Sequence, residues 1–147
     1  MKRCFFIGHR ETGEEVYPAL VKAVEHLVVE QGVTEFIVGK YGNFDRLAAQ
    51  AVIAVKKQYP QVTLTLLLAY HPAEHPTEKP LGFDTTYYPS EMEFVPRRLA
   101  ILRANRYVTD RVQHLIAYVR HPASNARDLL EYAQKRGVIT LNLADRR

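Results

Sequence analysis

Three short segments of the chain combine a glycine or small polar residue with side chains that can bind an anion. They are Gly8-His9-Arg10, Gly39-Lys40-Tyr41-Gly42 and Ser124-Asn125. Glycine permits a ligand to approach the backbone closely, and arginine, lysine and histidine side chains can contact a phosphate. These residue types predict a site for a phosphate-bearing ligand.

Each of these segments follows a predicted strand. The second and third also open a predicted helix, whose unpaired N–H groups and positive dipole end favour an anion. Ligands of open α/β sheets bind outside the carboxyl ends of the strands, where such loops meet. We therefore expect the three segments to lie together at one edge of a sheet.

The sequence around these three segments alternates between short apolar runs and longer stretches of helical period. This pattern is typical of βαβ units. It predicts strands over 4–7, 36–38, 62–68, 115–119 and 138–143, and helices over 18–31, 47–55, 91–110 and from about 126. We predict one α/β domain over residues 1–147, a Rossmann-like three-layer fold with a mostly parallel five-stranded sheet flanked by helices. Residues 69–90 are rich in proline and should be irregular, near the ligand crevice.

Simpler roles exist for several of these residues. The glycines could form tight strand-to-helix turns, and His9 could be a surface loop histidine. Asp45 is predicted to cap the second helix, with a ribose contact as the alternative.

Several motifs of known enzyme classes are absent. No Gly-x-Gly-x-x-Gly follows the first strand, no Walker-type Gly-Lys-Ser/Thr occurs, and no serine or cysteine has a signature of nucleophilic catalysis. The run from His71 to His75 matches the His-x-x-Glu-His spacing of zinc peptidases. Because Pro72 lies within this run and Pro76 follows it, we predict a loop and no metal site.

Composition limits the class of protein. With 47% hydrophobic and 24% charged residues, the chain should fold as a globular domain. The single cysteine, Cys4, precludes an internal disulfide, and no apolar run is long enough to cross a bilayer, so we expect a cytoplasmic protein. The net charge of +4 fits either nucleic acid or a phosphate site.

Four segments together resemble the YpsA-like branch of the SLOG superfamily: residues 4–10, 36–45 with Ala48-Ala49, 103–107 and 116–121. The resemblance spans nearly the whole chain. It implies a Rossmann-like domain with a site for nucleotides or nucleotide-derived sugars. The superfamily includes the DNA-processing protein DprA and the phosphoribohydrolases called LOG proteins.

The resemblance also implies site residues. It places Gly8, His9 and Arg10 on one side of the site, with Gly39, Gly42 and Asp45 beside them. It adds Asn105 and Arg106, which match an Arg/Asn-Arg stretch of the superfamily and could otherwise be a solvated helix end. The chain departs from the branch at Ser124-Asn125-Ala126, where a Gly-Gly turn is common, and at Lys40, which replaces a glycine. It also lacks the Pro-Gly-Gly-x-Gly-Thr-x-x-Glu signature of LOG enzymes.

We therefore expect a homodimeric protein that binds or senses a nucleotide or nucleotide sugar. No cofactor is assigned beyond this nucleotide-like ligand. One alternative is a hydrolase of N-glycosidic or phosphoribosyl bonds that uses His9, Asp45 or Asp110 as acid or base. The other is a DNA-associated protein resembling DprA. The residues favour a small molecule over nucleic acid and leave the latter open.

Overall fold

The computed structural model describes residues 1–145, which form a sheet of six parallel strands between two layers of helices. The strands are β1 (Lys2–Gly8), β2 (Val33–Val38), β3 (Thr63–Leu67), β4 (Thr85–Tyr87), β5 (His114–Tyr118) and β6 (Ile139–Asn142). The helices are α1 (Tyr17–Gln31), α2 (Asn43–Lys56), α3 (Ala100–Thr109) and α4 (Asn125–Lys135). The predicted α/β class and three-layer architecture are confirmed.

Strand order explains where a ligand can enter. The order is β4-β3-β2-β1-β5-β6, so the chain first builds outward from β1 on one side and then returns to add β5 on the other. The loops after β1 and β5 consequently turn to opposite faces of the sheet and leave a crevice between them. The first and third predicted anion-binding segments follow these two strands.

The core has two parts, one on each face of the sheet. Helices α1 and α2 cover one face and helices α3 and α4 the other. Successive residues of β1 serve both parts: Phe5 packs on the α3 side and Phe6 on the α1 side, each 1% exposed. A strand buried on both faces needs a continuous apolar run, and residues 4–7 of β1 form such a run.

The predicted count of five strands is wrong, because β4 lies within the segment expected to be irregular. All three β4 residues are exposed and show no alternation of polar and apolar side chains. The pairing with β3 is held by backbone hydrogen bonds and by Asp84, whose carboxylate accepts the Leu64 N–H at 2.8 Å. A strand stabilised in this way has no hydrophobic signature.

The helix predicted over 91–110 is also divided. Two short 3-10 helices, Ser90–Phe94 and Arg97–Leu99, precede α3. Val95 between them is extended, the conformation that a following proline favours, and Pro96 comes next. The predicted helix took no account of Pro96. In the structure, the steric effect of Pro96 on Val95 interrupts the helix at this point.

Gly8 at the end of β1 lies against the aromatic ring of Phe44 in α2. A Cβ atom added to Gly8 would lie 2.3 Å from Cγ of that ring, far inside van der Waals contact. Any larger residue would push α2 away from the sheet. Gly8 is therefore required for packing, whatever its contact with a ligand.

The Gly8→Ala substitution should lower the free energy of unfolding by about 1–3 kcal/mol, the usual cost of overpacking a core. Urea denaturation followed by circular dichroism measures it. In a Phe44→Ala background the same substitution should cost much less, because the clashing ring is gone. An equal cost in both backgrounds would show that Gly8 is needed for another reason.

Candidate functional site

A cleft of about 440 Å³ opens at the carboxyl edge of the sheet, between the loops after β1 and β5. Its walls come from these loops, from the loop after β2 and from the first turns of α3 and α4. Most of the predicted site residues line it: Gly8, His9, Arg10, Gly39, Asp45, Asn105, Ser124 and Asn125. The structure thus brings together residues from all three predicted segments and one from the stretch in α3.

Three predicted residues do not line this cleft. Lys40 points elsewhere and donates a hydrogen bond to Oγ1 of Thr77 at 3.1 Å. Arg106 places its guanidinium 4.9 Å from the ring centre of Tyr132. Gly42 lies beneath the loop after β1, where a Cβ atom would come within 2.6 Å of Cα of Arg10.

Gly42 and its neighbour position Arg10. The φ angle of Gly42 is 132°, which other residues rarely adopt, and this turn lets α2 begin directly against the first loop. The N–H of Asn43 then donates to the carbonyl of Arg10 at 2.9 Å. The backbone of Arg10 is therefore fixed, and its exposed side chain lines the cleft.

His9 fastens the β1 loop to the β5 loop. Its Nε2 accepts the backbone N–H groups of Arg120 at 2.9 Å and His121 at 3.3 Å. A ring nitrogen that accepts hydrogen bonds carries no proton, so the imidazole is neutral with its hydrogen on Nδ1. Burial and then the nearby His121 lower the pKa of His9. Nε2 is thus occupied by the fold and cannot act as a base in this arrangement.

Asp45 is the titratable group at the base of the cleft. It lies in the first turn of α2, but Gly42 and not Asp45 is the N-cap residue, so the predicted capping role is wrong. Its Oδ2 accepts the N–H of Tyr41 at 3.0 Å, and a Cβ on Gly39 would lie 3.0 Å from the same oxygen. Burial raises the pKa of Asp45 to about 6, against the opposing effects of the Tyr41 N–H and Arg10.

The two helix starts at this edge differ in how they face the cleft. Each has an aspartate in its first turn, Asp45 in α2 and Asp128 in α4. The first residue of α2, Asn43, has its N–H bound to Arg10 and does not line the cleft, whereas Asn125 and Ala126 of α4 do. At α4, Ser124 is the N-cap and its Oγ accepts the N–H of Arg127 at 3.1 Å. The first N–H groups of a helix have no partner within it, so those of Asn125 and Ala126 remain for a ligand. An anion in the cleft is best stabilised beside α4.

Sequence reasoning missed several residues of the cleft. Arg98 approaches it from the short helix before α3, and Tyr41, Ile101 and Leu102 add aromatic and apolar walls. Tyr41 stands between two glycines already singled out, which was a usable signal. Arg98 has no such signal, because its position depends on how the segment before α3 packs.

The other candidate chemistry lies outside the cleft. Asp110, an alternative acid or base, accepts the hydroxyl of Tyr132 at 2.7 Å and does not line the cleft. The run from His71 to His75 forms turns, as predicted, and residues 1–145 contain no cluster of three metal-binding side chains. None of the helices described is long and apolar enough to span a membrane.

The fold and the crevice at the strand ends define a Rossmann-like α/β domain. Two solved structures of DNA processing protein A (DprA) have a similar fold. The protein from Streptococcus pneumoniae matches with a TM-score of 0.69 and 15% identity over 95% of this chain and 49% of its own. The Helicobacter pylori protein, which binds single-stranded DNA, matches with a TM-score of 0.62 and 16% identity over 95% of this chain and 63% of its own.

This chain thus spans about half of the first DprA chain and less than two thirds of the second. No protein-family model and no curated protein sequence matches it. At these identities the likeness shows the fold alone. The predicted Rossmann-like fold is thereby confirmed.

The raised pKa of Asp45 predicts a pH dependence of stability. The folded protein binds a proton at Asp45 more tightly than the unfolded chain does, so protonated Asp45 favours the fold. This stabilisation is lost as the pH rises from about 4 through about 6 and Asp45 ionises. Asp45→Asn removes this loss. Relative to the unmodified protein, the variant should therefore gain about 2 kcal/mol in unfolding free energy between about pH 4 and pH 7.

Urea denaturation at several pH values measures this difference. Glu131→Gln, which alters an exposed carboxylate of α4, is the matched control and should show no comparable trend. Parallel pH profiles for Asp45→Asn and the unmodified protein would contradict the assignment.

Proposed function

We propose that the protein binds a nucleotide or nucleotide-derived sugar in the cleft, with a phosphate beside the start of α4. The observation that carries the proposal is that one cleft combines groups that bind anions with aromatic and apolar walls. Arg10, Arg98 and the start of α4 are the anion-binding groups, and Tyr41 and Ile101 are among the aromatic and apolar walls. A nucleotide likewise combines a phosphate with a planar base.

Charge supports the placement of the phosphate. Within residues 1–145, neither Arg10 nor Arg98 forms an ion pair, although other arginines, including Arg3, Arg46 and Arg136, do. Arginine binds phosphate through charge-assisted and often bidentate hydrogen bonds. Two unpaired guanidinium groups at one cleft favour an anionic ligand over a neutral one.

Asp45 supports the placement of the sugar. It lines the cleft near Gly39, and its second carboxyl oxygen can accept from a ribose hydroxyl. A pKa of about 6 also makes Asp45 the one candidate acid or base that fits a hydrolase. Release of free base from a bound nucleoside monophosphate is the assay that separates turnover from binding.

Three further proposals concern the family branch, the oligomeric state and the location of the protein. Membership of the YpsA-like branch is supported by the glycine-bearing segments at the cleft and by the Asn105 position within it. A homodimer and a cytoplasmic location stay predictions from the sequence.

The Arg10→Ala substitution should weaken the binding of nucleotides by about tenfold to a hundredfold, the effect of losing a hydrogen bond to a charged group. The measurement is a thermal-shift screen against nucleoside phosphates, nucleotide sugars and ADP-ribose. A ligand at about 100 times its dissociation constant adds roughly 2.7 kcal/mol to stability, or several degrees in Tm.

Arg103→Ala is the matched control, since Arg103 is exposed on α3 and does not line the cleft. It should leave the shift intact. No shift with any ligand of the panel, or an equal loss in both variants, would contradict the proposed site.

Single-stranded DNA is the second candidate ligand. The similar fold of the Helicobacter pylori protein and the net charge of +4 favour it. Binding of an oligodeoxynucleotide should weaken with salt, with a slope of about 0.7 in log–log form for each phosphate neutralised. Fluorescence anisotropy across a salt series measures the slope, which Arg10→Ala should reduce by about that amount. A response no steeper than that of a mononucleotide would remove this candidate.

A further inference from the structure

A second cavity lies beside the cleft, between residues 69–75 and residues 88–97. Its volume is about 530 Å³. Its walls include Tyr70, His71, Tyr88, Phe94 and Arg97, and we call it the aromatic groove. The segment predicted to be irregular and the first part of the predicted helix over 91–110 thus bring four rings together.

The aromatic groove is adjacent to the cleft. Ala69 lines both cavities, and a smaller cavity of about 150 Å³ shares Tyr41 with the cleft and Tyr70 with the groove. Arg98 lines the cleft and the adjacent Arg97 lines the groove. The two cavities are therefore neighbours, and one extended ligand can contact both.

One ring of the groove is open to solvent, and the other three contact a neighbouring ring or a guanidinium group. His71 and Tyr88 meet edge to face with their centres 5.2 Å apart, and the guanidinium of Arg97 lies 5.7 Å from the centre of Tyr70. Phe94 is 94% exposed. A phenylalanine left so open at the mouth of an aromatic cavity is available for stacking by a planar ligand.

The charges of the groove differ from those of the cleft. Glu74 and Glu93 line it, and Arg97 is paired with Glu74 at 3.5 Å. Burial and then these two carboxylates raise the pKa of Tyr88, which shows that both lie near its hydroxyl. Such surroundings disfavour a phosphate. They suit an uncharged ring whose amino groups can donate to a carboxylate.

We infer that the aromatic groove binds a second nucleobase, carried by a ligand whose first nucleotide occupies the cleft. The inference rests on the proposed function and deepens it, because it makes the preferred ligand a two-base compound. A free dinucleotide and two adjacent nucleotides of a single strand share this chemistry. Stacking of a base on an aromatic side chain is tolerant of sequence, so the groove adds affinity more than base selectivity.

The test compares three probes by isothermal titration calorimetry: 5′-AMP, the 5′-phosphorylated dinucleotide pApA, and an oligodeoxyadenylate of about a dozen nucleotides. The dinucleotide should bind roughly five- to a hundredfold more tightly than 5′-AMP, the range that stacking of one base provides. Phe94→Ala and Phe94→Leu should remove most of this gain and leave 5′-AMP binding unchanged. Phe94→Tyr, which keeps the ring, should retain it.

Leu81→Ala is the matched control, since Leu81 is 99% exposed and lies outside the groove. It should alter none of the affinities. A dinucleotide that binds no more tightly than 5′-AMP, or a gain that survives Phe94→Ala, would overturn the inference and leave the proposed function standing. Failure of all three probes to bind would overturn both. An oligodeoxyadenylate that binds more tightly than pApA identifies the source as a single strand, and equal affinities identify a dinucleotide.

Discussion

The close contact between Gly8 and the ring of Phe44 sets the geometry of the loops at the carboxyl edge of the sheet. It allows α2 to lie close against the end of β1, and the start of α2 then meets the following loop, where Asn43 binds the carbonyl of Arg10. His9 extends the same chain of contacts to the β5 loop through two backbone N–H groups. One close approach, possible only for glycine, therefore determines the position of three loops.

The distribution of charge follows from this packing. Asp45 in the first turn of α2 accepts the N–H of Tyr41, and the first two residues of that helix, Asn43 and Phe44, do not line the cleft. The start of α4 keeps unpaired N–H groups, and Arg10 and Arg98 converge on the same cleft. Two helix starts that look alike in the sequence thus have different roles, one internal and one open to a ligand.

The segments between β3 and α3 add a different kind of surface. Their prolines prevent regular helices, and the turns that result expose rings which a helix or strand would have packed against the core. Tyr70 and Tyr88 are partly buried and Phe94 is almost fully exposed. The irregularity of this region is therefore what makes an aromatic cavity beside the cleft.

The sequence by itself determined the α/β class, the strands buried on both faces and the loops that carry most of the cleft. These depend on apolar period and on glycine, which are local properties of the chain. Only the tertiary structure decided that β4 joins the sheet, because that strand is held by backbone hydrogen bonds and Asp84 and has no apolar pattern. It also decided that Asp45 is a partly buried acid with a raised pKa and not a cap, and that Arg98 reaches the cleft. Burial and convergence of distant side chains arise from packing between elements, which no local spacing of residues encodes.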